Sequence, residues 1–330
     1  MFNSKTEKFI IIKVDNQYDN VRLDRFLRGV VGPINQAVLE KALRQKNILI
    51  NNKKAKSSER LEIGQIISYS KYIFIENSKK EKLVSNEEVK FYKNLFKQIV
   101  ISNSENMIVL NKPNNIAVQG GTNQKFHIDN FLKENFNNLK ETPKLVHRLD
   151  KDTSGLLLIA KNLITARSLT KMFKEGNILK IYYALVSPCP PKNEGTINLN
   201  IDKRSSFNEN KMFVSNETGK NSLTKYVVID NIHNELALVA LYPITGRTHQ
   251  LRLHMNYLGC PIIGDKKYFD KSLKKNITTD KNLKLHAAIL KIPKKNIFKA
   301  ELPKHFSDTL DFYGLRLNKV ENILSLFVKG

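Results

Sequence analysis

Apolar residues recur at two spacings along this chain, and the places where the spacing changes divide it. In RLDRFLRGVV, from Arg22, and QAVLEKALRQKN, from Gln36, they fall three and four positions apart, the period of a helix with one buried face. ILINNKK, residues 48–54, switches to a short strand entering an Asn51-Asn52 turn, and QIISYS follows Gly64 as a second strand. From about Ile75 to Gln98 the pattern breaks down, because SKKEKLVSNEEVKFYK offers no sustained apolar face, and a linker is expected there. Beyond it MIVLNKP, LLLIAK, ILKIYYALV, KYVVID and ELALVALYP have the pattern of strands, with a helix around Ile164 to Phe173 and a turn-rich SPCPPKNEG between them.

This order predicts an α+β protein with a mainly antiparallel sheet. A small α/β unit is expected over residues 15–72, a linker over 73–98 and a larger domain over 99–330. A length of 330 residues suits two domains, one of them large enough to bury a sizeable core.

Charge narrows the choice of partner. The chain has 55 Lys plus Arg against 31 Asp plus Glu, a formal net charge of +24, and such a surface attracts polyanions. From Arg22 to Lys71 eleven basic residues face four acidic ones, so the small unit is strongly basic for its size. A helix pair beside a hairpin with that charge suits RNA docking, with Arg22, Arg25, Arg44, Lys46, Lys53 and Lys54 as the candidate contacts. Two cysteines, Cys189 and Cys260, are too few for a disulfide framework and belong to no zinc-type pair, which fits a reducing compartment. The N-terminal run FIII is too short for a signal-peptide core or a membrane span, so a cytoplasmic protein without membrane attachment is expected.

The densest cluster of chemical groups is KLVHRLDKDTSGLLLIAK, residues 144–161, where a polar run breaks into an apolar strand at Gly155. Polar clusters at a strand edge are candidate sites, although a lone Asp there more often caps a turn. DKDTS is similar to the DxDxT pattern of aspartate-nucleophile phosphatases, but Ser154 stands where that pattern has Thr. Lys144, His147 and Arg148 precede it, and cations there disfavour magnesium. No G-x-S-x-G elbow surrounds Ser154 to make it a nucleophile.

HRLDKDTSG resembles the signature of the RluA/RluC/RluD-type pseudouridine synthases. NKPNNIAVQGG at 111–121, KIYYALV at 180–186, PITGRTHQLRLHM at 243–255 and CPIIGDKKY at 260–268 resemble the family's other blocks, in the family's order. RLDRFL followed by ALRQKNILINNKKAK is similar to an S4-type RNA-binding domain. The S4-like module together with NKPxxxAVxGG points to the RluC-like branch, which acts on large-subunit (23S) ribosomal RNA. A monomer working in the cytoplasm is the accompanying expectation.

The resemblance also implies site residues. Asp150 matches the catalytic aspartate, Arg252 the arginine that pairs with it, Tyr182 the tyrosine that stacks on the target base, and Arg148 the arginine that enters the RNA to fill the vacated space. The reaction cleaves the N1–C1′ bond of uridine, turns the freed base and joins C5 to C1′. No electrons leave and no water enters, so neither a metal nor a diffusible cofactor is expected. A carboxylate that attacks or stabilises the sugar or base is required. An adjacent cation keeps a buried carboxylate ionised, and Arg252 is expected to grip Asp150 through two hydrogen bonds. A flat ring at Tyr182 retains detached uracil, stacking being worth ~1–3 kcal/mol per base, and alternation sends Tyr183 to the other face of its strand. Turning a uridine out of its stack costs a few kcal/mol.

Attack on C1′, attack on C6 and a glycal-like departure of the base are all open to such a carboxylate. Lys112, Pro113, Gly120 and Gly121 are expected to brace the floor of the site. His249 and His254, five apart in a strand-like segment, are expected to face opposite ways as structural residues. Gln119 stands where many relatives have His, and LHAAILKIPKKN lacks the family's downstream His-Pro. A non-catalytic RNA-binding protein is the rival from another class, and release of C5 tritium from uridine in RNA separates the two.

Overall fold

In the computed structural model, residues 9–32, 34–71, 86–120, 126–136, 141–203, 211–215, 217–269, 281–293, 297–317 and 323–327 are described. The chain forms two compact units, Met1–Val84 and Ser85–Gly330.

The first unit holds β1 (Phe9–Lys13), α1 (Leu23–Val31), α2 (Gln36–Arg44), β2 (Ile48–Ile50), β3 (Lys53–Lys54) and β4 (Ile66–Ser70). Its four strands form one antiparallel sheet in the order β1-β4-β2-β3. Asn35 starts α2 by accepting a hydrogen bond from the Ala37 N–H, satisfying a donor the helix leaves free. Asn51 and Asn52 both take positive φ, 46° and 61°, the backbone a two-residue hairpin turn requires and asparagine tolerates. Leu23, Phe26, Leu27, Leu39, Ile48, Leu61 and Ile67 fill the core, so the three-four spacing of the helices and the short strands bury one common face. β1 lies before residue 15, where the sequence pattern starts the unit, because FIIIK pairs along the free edge of β4.

The second unit begins with α3 (Asn86–Ile99), which occupies much of the stretch expected to be a linker. Aromatic residues spaced along the helix make the face that its charges conceal. Tyr92 stacks on Phe126 with centroids 3.3 Å apart, and Phe96 meets Phe131 at 4.8 Å. The earlier part of that linker, 73–85, lies outside the described residues, as do residue 72 and Gly121.

The chain continues through β5 (Val100–Asn103), β6 (Met107–Lys112), α4 (Ile128–Asn135), β7 (Lys144–Leu145), β8 (Ser154–Ala160), α5 (Leu163–Lys174) and β9 (Leu179–Val186). Next come β10 (Glu194–Lys203), β11 (Met212–Val214), β12 (Lys220–Ile232), β13 (Leu236–Pro243) and α6 (Gln250–Tyr257). β14 (Leu285–Lys291), β15 (Ile297–Lys299), α7 (Lys304–Tyr313) and α8 (Ile323–Phe327) complete it. The sheet runs β11-β10-β12-β13-β9-β14-β8-β6-β5, with β15 on β14 and β7 on β8. Among the described residues every strand pairing is antiparallel except that of β14 with β8, in keeping with the expected α+β class.

Helices on both faces explain why the central strands are continuously apolar. Leu156 and Leu158 of β8 pack with Ala166 and Leu169 of α5, whereas Leu157 and Ile159 pack with Ile128 and Leu132 of α4. In β13, Leu238 and Ala240 meet Phe306 and Leu310 of α7, while Val239 and Leu241 meet Leu251 and Met255 of α6. Among the described residues no helix is long and apolar enough to cross a membrane.

The parallel contact depends on Gly155, which has φ of 110° and pairs with Ala287. A Cβ at this position would land on the Ala287 backbone carbonyl. Gly155→Ala is therefore expected to destabilise the protein by about 2 kcal/mol or more, through overpacking and a strained φ together. The urea unfolding midpoint measures this, and an unchanged midpoint would show that the two strands separate without cost.

Candidate active site

Asp150 sits in the turn that enters β8, where the Thr153 N–H donates to its carbonyl at 3.2 Å. Lys112, at the end of β6, braces this turn from below. Its side chain is fully buried, and Nζ donates to the carbonyls of Pro113 (2.9 Å), Ile116 (2.9 Å) and Lys151 (3.1 Å). Burial pulls the Lys112 pKa down to about 7 against the opposing charges of Asp150 and Asp152. Three carbonyl acceptors match the three protons of an ammonium, so the hydrogen bonding favours the charged form.

The opposite wall comes from the loop between β13 and α6. Gln250 pins it: Oε1 accepts from the Thr245 hydroxyl and the Arg247 N–H, while Nε2 donates to the Leu223 carbonyl and Thr224 hydroxyl of β12. With the loop held, His249 adopts a left-handed backbone, φ 51° and ψ 19°, and becomes the residue that precedes α6. The strand expected across His249 and His254 is therefore a helix with its cap, because Leu251 and Met255 bury one face against β13 at helical spacing.

His249 and His254 have different surroundings. The His249 Nε2 stands 3.8 Å from the Asp150 carboxylate, and Nδ1 hydrogen-bonds the Tyr268 hydroxyl at 2.9 Å. Burial lowers the His249 pKa below its ordinary value even though Asp150 pulls it up, and the imidazole is neutral at neutral pH. His254 is enclosed: Ser222 donates to the Leu199 carbonyl at 2.6 Å, so its oxygen accepts from the His254 Nε2–H at 2.8 Å. Burial pushes that imidazole down to about 4, and it serves the packing of α6 on β12.

Arg252 lies in the first turn of α6 and is only 2% exposed. The two-hydrogen-bond grip expected on Asp150 goes elsewhere: Nε and Nη2 both donate to the Asp265 carboxylate at 2.7 Å. Nη1 reaches Asp150 at 3.5 Å. The fork closes on Asp265 because that carboxylate is equally buried and is held by the N–H groups of Lys267 (2.8 Å) and Tyr268 (3.1 Å). Burial opposes the Arg252 charge, yet the hydrogen bonds and charge of Asp265, with help from Asp150, raise its pKa above the ordinary value.

Tyr182 projects from β9 beside these groups. It packs against clusters on one side of the sheet while Tyr183 packs against the cluster beneath α7, as strand alternation predicts. Burial and the charge of Asp150 both push its phenol pKa up, so the ring stays protonated. Asp150, Tyr182, His249 and Arg252 together line a cavity of about 340 Å³, within the range of pockets that hold a small ligand. Arg148 lines it too and is exposed. The Asp150 side chain is 20% exposed and open to a ligand in that cavity.

In the first unit, Arg25, Arg44, Lys46, Lys53 and Lys54 are exposed, whereas Arg22 is committed to a forked ion pair with Asp24 at 2.8–3.1 Å. Among the described residues no cluster of His, Cys, Asp and Glu is arranged to hold a metal ion. Sequence reasoning misses the part that Asp265, His249 and Tyr268 play in the site's geometry. The one signal for them is their place inside the blocks TGRTHQLRLH and GDKKY.

A sheet-rich domain with this cavity at the ends of β8 and β9 has known counterparts. The family profile described as RNA pseudouridylate synthase matches residues 106–257. Human RNA Pseudouridylate Synthase Domain Containing 1 is 29% identical, superposes with a TM-score of 0.52 and covers 64% of this chain and 86% of its own. The "Ribosomal large subunit pseudouridine synthase C" of Rickettsia felis is 39% identical over 87% of this chain and 95% of the relative. The "Ribosomal large subunit pseudouridine synthase D" of Borreliella burgdorferi is 43% identical over 70% and 73% respectively. This chain belongs to the RNA pseudouridylate synthase family, a class of isomerases that act on RNA.

The buried fork gives a test of what holds Arg252. Asp265→Ala leaves the guanidinium enclosed without its partner and is expected to cost about 3 kcal/mol or more of stability. Urea unfolding measures this, and an unchanged midpoint would mean that Arg252 is held by other contacts.

Proposed function

We propose that this chain isomerises specific uridines of large-subunit (23S) ribosomal RNA to pseudouridine, with Asp150 as the catalytic carboxylate. The observation that carries the assignment is the Asp150 side chain, open to a nucleotide-sized cavity, with the Arg252 guanidinium at 3.5 Å and the Tyr182 ring beside it. The guanidinium sets a positive charge beside the carboxylate, and all three routes of attack use an aspartate in that place. Tyr182 supplies the surface on which a detached base is retained, and exposed Arg148 at the cavity edge fills the gap left by an everted uridine. His249, neutral and hydrogen-bonded to Tyr268, stands 3.8 Å from the same carboxylate oxygen that Arg252 faces. The chemistry takes no metal and no diffusible cofactor, and we infer a monomer working in the cytoplasm, where ribosomal RNA is available. The large-subunit substrate is supported by the names of the Rickettsia and Borreliella relatives, which are of the C and D types respectively; the coverage of the C-type protein favours the RluC-like branch.

We infer further that the first unit, with its helix pair, Asn-Asn hairpin and exposed cations, is an S4-type RNA-binding module over about residues 15–72, and that the synthase domain spans 99–330. Its charge bears on affinity and leaves sequence choice to the pocket.

Asp150→Asn is expected to abolish C5 tritium release from labelled uridine in the RNA while leaving RNA binding within a few-fold, because phosphate contacts supply most of the affinity. Retained turnover would defeat the assignment. For the module, full-length protein with Arg44, Lys46, Lys53 and Lys54 changed to Gln is expected to bind RNA with a shallower salt dependence. The slope falls by ~0.7–0.9 for each phosphate no longer neutralised, and an identical slope would remove the module from the interface.

A further inference from the structure

Among the described residues the cavity around Asp150 is lined by five cationic side chains, Arg148, Lys174, Lys180, Arg247 and Arg252, and by one acid, Asp150. Arg252 is already committed to Asp265. Arg148, Lys174 and Arg247 are exposed, and Arg247 Nε also donates to the Asn221 carbonyl at 3.2 Å. Lys180 differs from all of these. It is half-buried in β9, two residues before Tyr182, and among the described residues it has no hydrogen-bond or carboxylate partner.

Its surroundings are apolar or neutral. Nζ lies 5.9 Å from the centre of the Phe173 ring, and His147 stacks on that ring at 4.4 Å. The His147 Nε2 accepts the Leu158 N–H at 2.8 Å, so this imidazole is uncharged and offers no anion. Burial lowers the Lys180 pKa, and among the described residues no nearby carboxylate pulls it back up. A cation so placed is normally paired within the protein, because desolvating it without a partner is costly. The missing anion is then supplied by whatever enters the cavity.

Resting on the reading that the cavity receives a uridine of an RNA strand, we propose that Lys180 binds a phosphodiester oxygen of the everted nucleotide and so sets the depth at which the base meets Tyr182 and Asp150. Two residues along a strand place Lys180 on the same face as Tyr182, about 7 Å away. That separation is of the order between a stacked base and the phosphate that carries it. Gly246 leaves room for a backbone to approach, since a Cβ there would stand 4.0 Å from Nζ. A uracil carbonyl is the competing acceptor, but it is neutral and leaves the charge uncompensated.

The experiment is a cycle on full-length protein. Wild type and Lys180→Met are titrated at low salt with the trinucleotide UpUpU carrying either native phosphodiesters or neutral methylphosphonates. A charge-assisted contact predicts that neutralising the phosphates weakens the wild type about tenfold more than it weakens Lys180→Met, with Lys180→Arg behaving as wild type. Equal losses in wild type and Lys180→Met would overturn the proposal and put Lys180 on the base or on the fold. Lys180→Gln replaces the methionine variant should that one fail to fold. Because the readout is binding, a negative result leaves the isomerase assignment standing, and that assignment is tested separately by tritium release.

Discussion

The buried pair of Arg252 and Asp265 orders the rest of the site. Two hydrogen bonds of 2.7 Å fix the guanidinium plane, and two backbone N–H groups fix the carboxylate that receives them. Only Nη1 is then left to face Asp150. A guanidinium held this way presents charge from a constant position while the carboxylate it faces stays open to a ligand. Had the fork closed on Asp150 itself, both oxygens of that residue would have been occupied and its access to a nucleotide reduced.

This arrangement divides three tasks among two carboxylates and an amine. Asp265 neutralises and aims the arginine. Lys112 spends its three protons on carbonyls, one of them beside Asp150, and so fixes the turn. Among the described residues Asp150 keeps only long side-chain contacts, at 3.5 Å to Arg252 and 3.8 Å to His249, and remains available. The left-handed backbone at His249 is part of the same construction, since it carries the ring to a position between Tyr268 and Asp150.

The sheet makes the geometry reproducible. β8 and β9 are covered on both faces, so the turn before one and the tyrosine on the other cannot shift independently. Gly155 permits the approach of β14 to β8 at the point where the Asp150 turn enters the sheet.

Much of this is legible in the chain. Continuous apolar runs such as LLLIAK and ELALVALYP mark the central strands, because burial on both faces demands apolar residues at every position. The HRLDKDTSG block locates the turn that holds Asp150, because a polar cluster giving way to such a run is a local pattern. The helix α3 is not legible, since its face is built from widely spaced aromatics among charges and gains its partners, Phe126 and Phe131, only on folding. The segment that forms α6 reads as a strand because HQLRLHM alternates, and only packing of Leu251 and Met255 against β13 selects the helical period. Which acid takes the Arg252 fork is beyond the sequence as well. Asp150 and Asp265 are both carboxylates of matching chemistry, and the choice between them is made by distance, burial and two backbone N–H groups that come together only once the tertiary structure has formed.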